Sequence, residues 1–562
     1  MVRLLEIVLD VIPAAPGGGI AGAGKGGKAG GGDAGNGGQP GSAAAALAKA
    51  LTAALPQLVP LGDERVTTAL FDRDAALARA GWRIAVETRA SRRRVAVSQR
   101  QSLTPGMTAI TPHFEAPLKT DGLTDALFDD APQPFRAALA DCGELVPAAT
   151  LHSERRRWQW NRDGIEAELV LDAALHDPGA PPQSARPLHE WRVRAPWPED
   201  ADPAPLVDLL FACAHDLVDA APASLPALVR LTDAPARAAA GNLAGDGEAV
   251  HARPIDLDGA KTALAAFVAI GRNITEQWFG NDAGVRDSAR PEFIHQMRVS
   301  QRRLRTAMRI FSDWRDDTWT ERIKPDLKWL GRLLGDARDR DVLADATLPA
   351  LAGADAAETI TKADPARVAE VAQTTARAAG HWDALRAQAD AARRAAHERV
   401  REALASPRYA HVALAWLQWL AVLERRASAQ GAGERSLRKH ARKQARRFHG
   451  RLAKMPKLTT IDEPSRHLVR INGKYLRYTL EFFAPIMSHR TRTKTLRTLA
   501  RLQAVLGDGN DVAVALRLLE EFEVEPYQLG FVRGWRAALS RNSAAEGERL
   551  LRELRRPKLL GR

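Results

Sequence analysis

The sequence predicts two regions of different fold class, a mixed α+β N-terminal region and an all-α C-terminal region. Up to about Pro196 the apolar residues occur in short alternating runs, which favour several antiparallel strands with a few helices. From Asp256 onward the apolar residues recur three and four positions apart, as in helices. Two similar segments 172 residues apart indicate that the helical region contains two repeated bundles.

The N-terminal region begins with a strand over Met1–Ile12. Pro13–Ser42 follows, with 14 glycines in 30 residues, and we expect this segment to be a disordered insertion because it has few apolar side chains to bury. An alanine-rich helix is predicted over Ala43–Leu58. After the central strands, further helices are predicted over Ala204–Ala220 and Ser224–Leu231.

The predicted domain boundaries follow these changes in pattern. We expect an N-terminal domain at 1–235, a linker at 236–255, a helical domain at 256–546 and a basic tail at 547–562. No apolar run reaches about 18 residues, so no membrane-spanning helix is predicted. The start of the chain does not have the pattern of a signal peptide and the chain has two cysteines, which favours a cytoplasmic location.

The net charge of +13 is distributed unevenly along the chain. Met1–Ile255 has 25 Lys and Arg against 31 Asp and Glu, a net charge of −6, whereas the remainder has 56 against 37, a net charge of +19. A strongly basic region attracts nucleic acid, anionic lipid or polyphosphate, and the charge alone does not choose among them.

The two similar segments place basic residues at the same helical positions. When Phe293–Phe311 is aligned with Ser465–Phe483, four pairs match: His295 with His467, Arg298 with Arg470, Arg302 with Lys474, and Arg305 with Arg477. On a helix the residues of the first segment, with Arg309, fall within an arc of about 80°, opposite an apolar face. An ordinary solvated face usually mixes acidic with basic residues, but the first segment has no Asp or Glu. We therefore expect an anion-binding surface, although Glu481 replaces Arg309 in the second copy.

Arginine suits such a surface because its planar fork binds two oxygens of a phosphate, while lysine adds a point charge. Histidine beside phosphate is expected to favour its protonated form. Further candidates lie on the helix after the first repeat and on a third basic helix: Lys328, Arg332, Arg438, Lys439, Arg442 and Arg446.

The motif LGDxxD also occurs in both repeats, at Leu334–Asp339 and Leu506–Asp511. Its glycines, Gly335 and Gly507, are interpreted as the end of a helical turn. Asp339 and Asp511 are candidates for ion pairs with nearby arginines. A metal site built from Asp336, Asp339 and Asp341 is an open alternative.

The segments HQMRVSQRRLR, LKWLGRLLGDARDRDVL and HLVRINGKYLRYTLEFF, in this order, closely resemble the CHAD domain over about Asp256–Glu546. The resemblance implies two helical bundles that bind inorganic polyphosphate along a basic groove or pore. It carries this role over to the eight paired positions His295, Arg298, Arg302, Arg305, His467, Arg470, Lys474 and Arg477. Polyphosphate granules are the expected site of association.

The N-terminal region resembles a CYTH domain, which implies an antiparallel β-barrel of the triphosphate tunnel type. In that family Lys and Arg hold triphosphate and Glu residues hold Mg²⁺ or Mn²⁺. Here Glu6, Val8 and Asp10 stand where the family has Glu-x-Glu-x-Lys, and Ala85 replaces an arginine after Arg83. Glu190 matches a metal carboxylate, but Arg192 replaces the next one and would repel the cation. Glu6 and Glu190 are thus the remaining candidate metal ligands.

These observations favour non-catalytic binding of polyphosphate without a required cofactor. One alternative is an inorganic triphosphatase that uses Mg²⁺ or Mn²⁺ in the barrel. Another is a general polyanion or nucleic-acid binder, for which Tyr475 and Tyr478 are the available stacking residues. Binding is expected to weaken with salt and as the pH rises through the histidine range.

Overall fold

A computed structural model describes residues 2–12, 40–119, 122–177, 186–240, 247–361, 368–429 and 435–560, and these form two compact units. The first unit contains Met1–Glu248, Arg286–Ser288 and Arg401–Arg425; the second contains Ala249–Val285, Ala289–Val400 and Arg426–Arg562. The predicted glycine-rich insertion lies outside the described residues up to position 39. The last three residues of this segment, which were also predicted to be disordered, belong to a helix that begins at Pro40.

Within the described residues, the first unit is built on a nine-stranded antiparallel sheet. Its order is β5-β4-β3-β2-β6-β7-β8-β1-β9, and an additional β5–β1 pairing closes the first eight strands into a ring. The predicted antiparallel architecture is thus present as a strand ring with β9 added beside β1. The strands are β1 (Arg3–Val11), β2 (Leu58–Asp72), β3 (Trp82–Arg89), β4 (Arg92–Thr104), β5 (Met107–Pro117), β6 (Val146–Arg162), β7 (Ile165–Asp177), β8 (Arg186–Trp197) and β9 (Ala227–Arg230).

Strand β1 closes the ring because it has partners on both sides. It pairs with β8 over its whole length, and on its other edge with β5 and then β9. Alternation along a strand places Glu6, Val8 and Asp10 on one face and the apolar residues between them on the other. The register sets Glu6 opposite Arg194 and Asp10 opposite Glu190. The interior of the ring is therefore polar and charged.

Helices accompany the ring in the first unit. They are α1 (Pro40–Ala54), α2 (Ala76–Arg79), α3 (Gln133–Cys142), α4 (Ala204–Ala220) and α5 (Ala234–Ala239). The prediction for Ala204–Ala220 is confirmed, and Leu210 and Phe211 of this helix are fully buried. The helix predicted over Ser224–Leu231 is wrong, because Ala227–Arg230 forms β9 against β1. A short apolar run does not distinguish a helix from a buried strand without its partner.

Helix α12 (Pro407–Ala429) contributes its first part to the first unit, although the sequence assigned it to the helical domain. His411 hydrogen-bonds His215 of α4 at 2.8 Å between their Nδ1 atoms and contacts Asp219 at 2.9 Å. A Cβ added at Gly106, where φ is +83°, would lie 2.8 Å from the Leu417 side chain. Arg425 donates to Asp208 at 3.2 Å. Residues distant in sequence therefore complete this unit.

The C-terminal half is helical, as predicted, and repeats its elements at a constant offset. Helix α8 (Pro291–Ile310) and helix α14 (Glu463–Phe482) lie 172 positions apart at both ends. The first residues of α9 and α15, Lys324 and Leu496, also lie 172 positions apart. Each repeat also has a π-helical turn before the second helix of its pair. The remaining α-helices are α6 (Ala263–Gly280), α7 (Asp282–Asp287), α8 (Pro291–Ile310), α9 (Lys324–Val342), α10 (Leu348–Thr361), α11 (Val368–Leu404), α13 (Leu437–Ala453), α14 (Glu463–Phe482), α15 (Leu496–Leu519) and α16 (Pro526–Glu553).

The core of the second unit includes equivalent residues of the two repeats. Phe311 and Phe483, 172 positions apart, are fully buried with ring centroids 5.9 Å apart. His440 of α13 stacks on Phe311 at 5.0 Å. The apolar face predicted for α8 is confirmed, since Phe293, Met297, Leu304 and Met308 are all buried. The predicted basic tail from position 547 starts inside α16, where Arg549 pairs with Glu546.

Candidate functional site

The basic faces of α8 and α14 lie next to each other in the second unit. Arg302 of α8 donates from Nε to the Tyr478 hydroxyl of α14 at 2.7 Å. Arg309 of α8 lies over the ring of Tyr475, with its guanidinium carbon 4.5 Å from the centroid. We call the combined set the cationic row; it comprises His295, Arg298, Arg302, Arg305, Arg309, His467, Arg470, Lys474 and Arg477.

The ammonium group of Lys474 lies close to several arginines of the row. Burial, and then the positive charges of Arg470, Arg302 and Arg298, lower the pKa of Lys474 from 10.5 to about 7. Arginines of both repeats therefore act on one ammonium group. Burial likewise lowers the pKa of Arg298, Arg305 and Arg470. The positive charges of the row are therefore close enough to act on one another.

The histidines of the row are neutral near pH 7. Burial, followed by the charge of Arg338, lowers the pKa of His295 to about 4. The pKa of His467 is also lowered, by burial and then by Arg470 and Lys474. Within the row of the unliganded protein, Lys474 has its pKa nearest to neutral pH. The expected role of the histidines concerns the phosphate-bound protein and stays a prediction.

Helix α9 provides a surface on which two arginines of the row lie. A Cβ added at Gly335 would lie 2.5 Å from an Arg298 nitrogen, and one added at Gly331 would lie 3.6 Å from the Arg305 guanidinium. Gly335 is in the middle of α9, and Gly507 is in the middle of α15. The interpretation of these glycines as the end of a helical turn is therefore wrong. At Gly335 the missing side chain makes room for an arginine.

The aspartates of the two motifs act as counter-ions. Asp339 pairs with Arg298 at 3.3 Å and Arg517 at 3.7 Å, as predicted for this carboxylate. Burial is the largest cause of the raised pKa of both Asp339 and Asp511, and each carboxylate also has an arginine of the row nearby. Arg298 and Arg470 therefore each have both carboxylates nearby.

The predicted alternative of a metal site at Asp336, Asp339 and Asp341 is not formed. Asp341 is buried against His397 at 2.7 Å, whereas Asp336 pairs with Arg340 and Arg399. The three carboxylates therefore pair with different residues. Throughout the described ranges, no group of three or more His, Cys, Asp or Glu side chains is arranged to hold a metal ion.

Lys328 and Arg332 are exposed on α9. Helical periodicity places them on the face of Gly335, against which Arg298 packs. Their part in anion binding stays a prediction. Glu481, the unexplained acid of the second copy, pairs with Arg477 at 3.5 Å. Its pKa is raised by burial, despite the nearby arginines.

Helix α13 packs against α14 and carries the remaining predicted site residues. Arg438 donates to the Leu560 carbonyl, and Lys439, Arg442 and Arg446 are exposed. Arg447, half a turn around the helix from Arg438, lies over Phe448, whose ring centroid is 5.6 Å from that of Tyr475. Arg447 and Arg338 were not among the predicted residues. Arg447 is exposed, as Arg442 and Arg446 are, and the contact of its neighbour Phe448 with Tyr475 depends on how α13 packs against α14.

The interior of the ring in the first unit also contains many arginines, and buried carboxylates pair with them there. Arg100 and Arg194 contact Glu6 at 2.6 and 2.7 Å. Asp172 accepts from Arg155 at 2.8 Å and from Arg192. Arg230 contacts Asp10 at 2.7 Å, and Arg237 contacts the same carboxylate. Burial alone would raise the pKa of Glu6, but Arg100 and Arg194 outweigh it and lower this pKa to about 2.

The candidate metal carboxylates of the ring do not suit Mg²⁺ or Mn²⁺. Glu6 is fully buried between two arginines. Glu190 accepts from the backbone N–H of Ala234 at 2.5 Å, and burial raises its pKa to about 8, so this carboxyl is mostly protonated at pH 7. The Arg192 guanidinium lies 3.6 Å from Glu190. A divalent cation at this place would meet a fixed positive charge and a protonated carboxyl.

The fold defines the second unit as a duplicated all-helical domain. The CHAD domain family model matches residues 269–520, so this segment is a CHAD domain. No curated protein matches the chain. Among the helices described, none is long and apolar enough to cross a membrane.

Three solved structures are similar to parts of the chain. The CHAD domain from the plant Ricinus communis is 29% identical, covers 56% of this chain and 99% of its own, and has a TM-score of 0.43. PptA from Streptomyces chartreusis is 18% identical, covers 52% and 99%, and has a TM-score of 0.38. HpAC1 from Hippeastrum, described as a putative adenylyl cyclase with a dominant triphosphatase activity, is 13% identical, covers 43% and 97%, and has a TM-score of 0.26.

Proposed function

We propose that the chain binds inorganic polyphosphate along the cationic row and does not hydrolyse it. The observation that carries this proposal is the meeting of the two basic faces, where Arg302 and Arg309 of α8 contact Tyr478 and Tyr475 of α14. Burial and arginines from both repeats also lower the pKa of Lys474 to about 7. Such crowding of like charges is unfavourable unless an anion neutralises it. A flexible chain of phosphates supplies negative charge at close, regular spacing, which suits a row of separate cations.

The covered tyrosines support polyphosphate over nucleic acid as the ligand. Tyr478 is 2% exposed, and both Arg302 and Arg477 lie over its ring. Tyr475 lies between Arg309 and Phe448. Single-stranded nucleic acid depends on open aromatic faces for stacking of its bases. A ligand without bases loses nothing when these faces are covered. Attachment to polyphosphate granules would use the same row.

The double substitution Arg298→Ala with Arg470→Ala tests the proposal. Each arginine offers charge-assisted hydrogen bonds, so we expect the affinity for long-chain polyphosphate to fall about 30-fold or more. The slope of log affinity against log salt should become shallower, because fewer counter-ions are displaced. Fluorescence anisotropy with the full chain at several salt concentrations measures both quantities.

The matched control is Arg549→Ala with Arg552→Ala, which removes the same charge from α16. Both arginines pair with glutamates of their own helix and are 48% and 70% exposed. This control should bind within about twofold of the unaltered chain if the row, rather than net charge, binds the ligand. Equal losses in both double variants, or equal affinity for RNA at matched phosphate number, would identify a general polyanion binder instead.

A further inference from the structure

Asp233, just before α5, is held by two arginines of the ring interior. Arg83 donates to both carboxylate oxygens, at 2.6 and 2.8 Å, and Arg100 donates to one of them at 3.0 Å. The Asp233 carboxylate also accepts from the backbone N–H of Ala236 at 3.2 Å and so caps α5. The residue is 1% exposed. Burial opposes its ionisation, but Arg83 and Arg100 hold its pKa well below the usual value.

The two-pronged contact of Arg83 is the one by which arginine binds an oxyanion such as phosphate. Asp233 therefore takes the position that an external oxyanion would occupy on this arginine. A cavity of about 230 Å³ is also lined by Arg83 and Arg100, with Ala234 and Pro235 of α5 in its wall. In that wall the Thr68 hydroxyl and Arg192 Nε are buried without a hydrogen-bond partner. These donors show that the cavity retains capacity for oxygen ligands.

The other carboxylates of the interior cannot replace Asp233. Glu6 is engaged by Arg100 and Arg194, and Asp172 by Arg155 and Arg192. Burial keeps Glu190 mostly protonated at pH 7, since its pKa is about 8. Loss of the Asp233 carboxylate would remove the carboxylate that pairs with Arg83 at 2.6 Å and leave only the more distant charge of Glu6, which Arg100 and Arg194 already engage.

We propose that Asp233 is an internal counter-anion that occupies the arginines of the ring and excludes small external oxyanions. Removal of its carboxylate creates a binding site for a small carboxylate or other oxyanion on Arg83 and Arg100. This proposal is independent of polyphosphate binding by the cationic row.

The test is chemical rescue of Asp233→Ser in the full chain by formate. Serine retains a side-chain oxygen that can cap α5 and leaves room for the carboxylate that was removed. In chloride buffer the melting temperature of this variant should fall by about 5–10 °C, because a buried ion pair is broken. Replacing chloride by formate at equal ionic strength should restore at least about half of that loss, because formate binds the folded state only. The melting temperature of the unaltered chain should not change, which calorimetry checks.

Two controls separate a new site from a general salt effect. Asp233→Asn also caps the helix but fills the space, so formate should not rescue it. Asp63→Ala removes an exposed carboxylate, 3.7 Å from Arg156, and should show no response. If Asp233→Ser yields folded protein only when purified in formate, the proposal is supported. It is overturned if formate has no effect on Asp233→Ser, or if it stabilises all four proteins equally.

Discussion

The ring interior and the cationic row both concentrate arginine, but they differ in how the charge is balanced. In the ring, Glu6, Asp172 and Asp233 each accept from two arginines, and Glu6 is fully buried. In the row, arginines crowd Lys474 and shift its pKa downward. The same side chain therefore pairs with buried carboxylates in one unit and crowds a lysine in the other.

The largest expected effect comes from breaking the balance in the ring. Glu6→Gln should lower the free energy of unfolding of the first unit by about 3–5 kcal/mol, because Arg100 and Arg194 lose a buried partner. The folded-state pKa of Glu6 is depressed to about 2. Its contribution to stability is therefore present above its ordinary pKa of 4.5 and is lost as the pH falls through about 2.

Urea unfolding followed by tryptophan fluorescence measures this effect. The control is Glu115→Gln, which removes a half-exposed carboxylate paired with Arg94 at 2.7 Å. It should cost less than about 1 kcal/mol. A loss for Glu6→Gln no larger than that of the control would show that the interior is not a balanced core.

An intermediate effect is expected from Lys474 in the row. Phosphate should raise the pKa of this ammonium, so binding takes up a proton and polyphosphate affinity falls as the pH rises above about 7. In the absence of ligand, the pH dependence of folding stability has the opposite sign to that of ligand affinity. The unfolded chain binds this proton between about pH 7 and 10.5, so the Lys474 contribution to folding stability rises with pH across that window.

Lys474→Arg and Lys474→Met separate these contributions. Arginine retains its charge, so the decrease in affinity from pH 7 to 9 should largely disappear. Methionine should lower the affinity about tenfold at pH 6.5 and raise the melting temperature of the unliganded protein, because a crowded charge is removed. Calorimetric titration at three pH values checks both. An unchanged pH profile in Lys474→Arg would assign the titration to another group.

The smallest effect uses the repeat itself as its control. Gly335→Ala should force the Arg298 guanidinium to move, because the added Cβ would lie 2.5 Å from one of its nitrogens. Gly507, the equivalent residue, has no atom within 4 Å of such a Cβ. Both substitutions favour a helix by up to about 1 kcal/mol. Only Gly335→Ala should weaken polyphosphate binding, by about threefold in an anisotropy titration. Equal affinities for the two variants would show that the position of Arg298 on α9 is unimportant.

The repeats and the basic faces were predictable from the sequence because they follow from helical periodicity. The positions of His295 and His467 in matching helices, and the buried face of Phe293 and Met297, depend only on residues within a few turns. The contact of Phe448 with Tyr475 was not predicted, because it depends on how α13 packs against α14. The role of Gly335 was missed for a similar reason, since its neighbour Arg298 lies on another helix.

By itself, the sequence determined the two fold classes, the 172-residue duplication and the excess of positive charge in the helical half. These are properties of local periodicity and composition. The tertiary structure decided which arginines are neutralised. Glu6 meets Arg194 across 188 positions, and Asp233 meets Arg83 across 150. It also placed the first part of α12 in the first unit. Electrostatic balance depends on distances of a few ångströms between side chains, and chain order does not specify such distances until the strands and helices have packed.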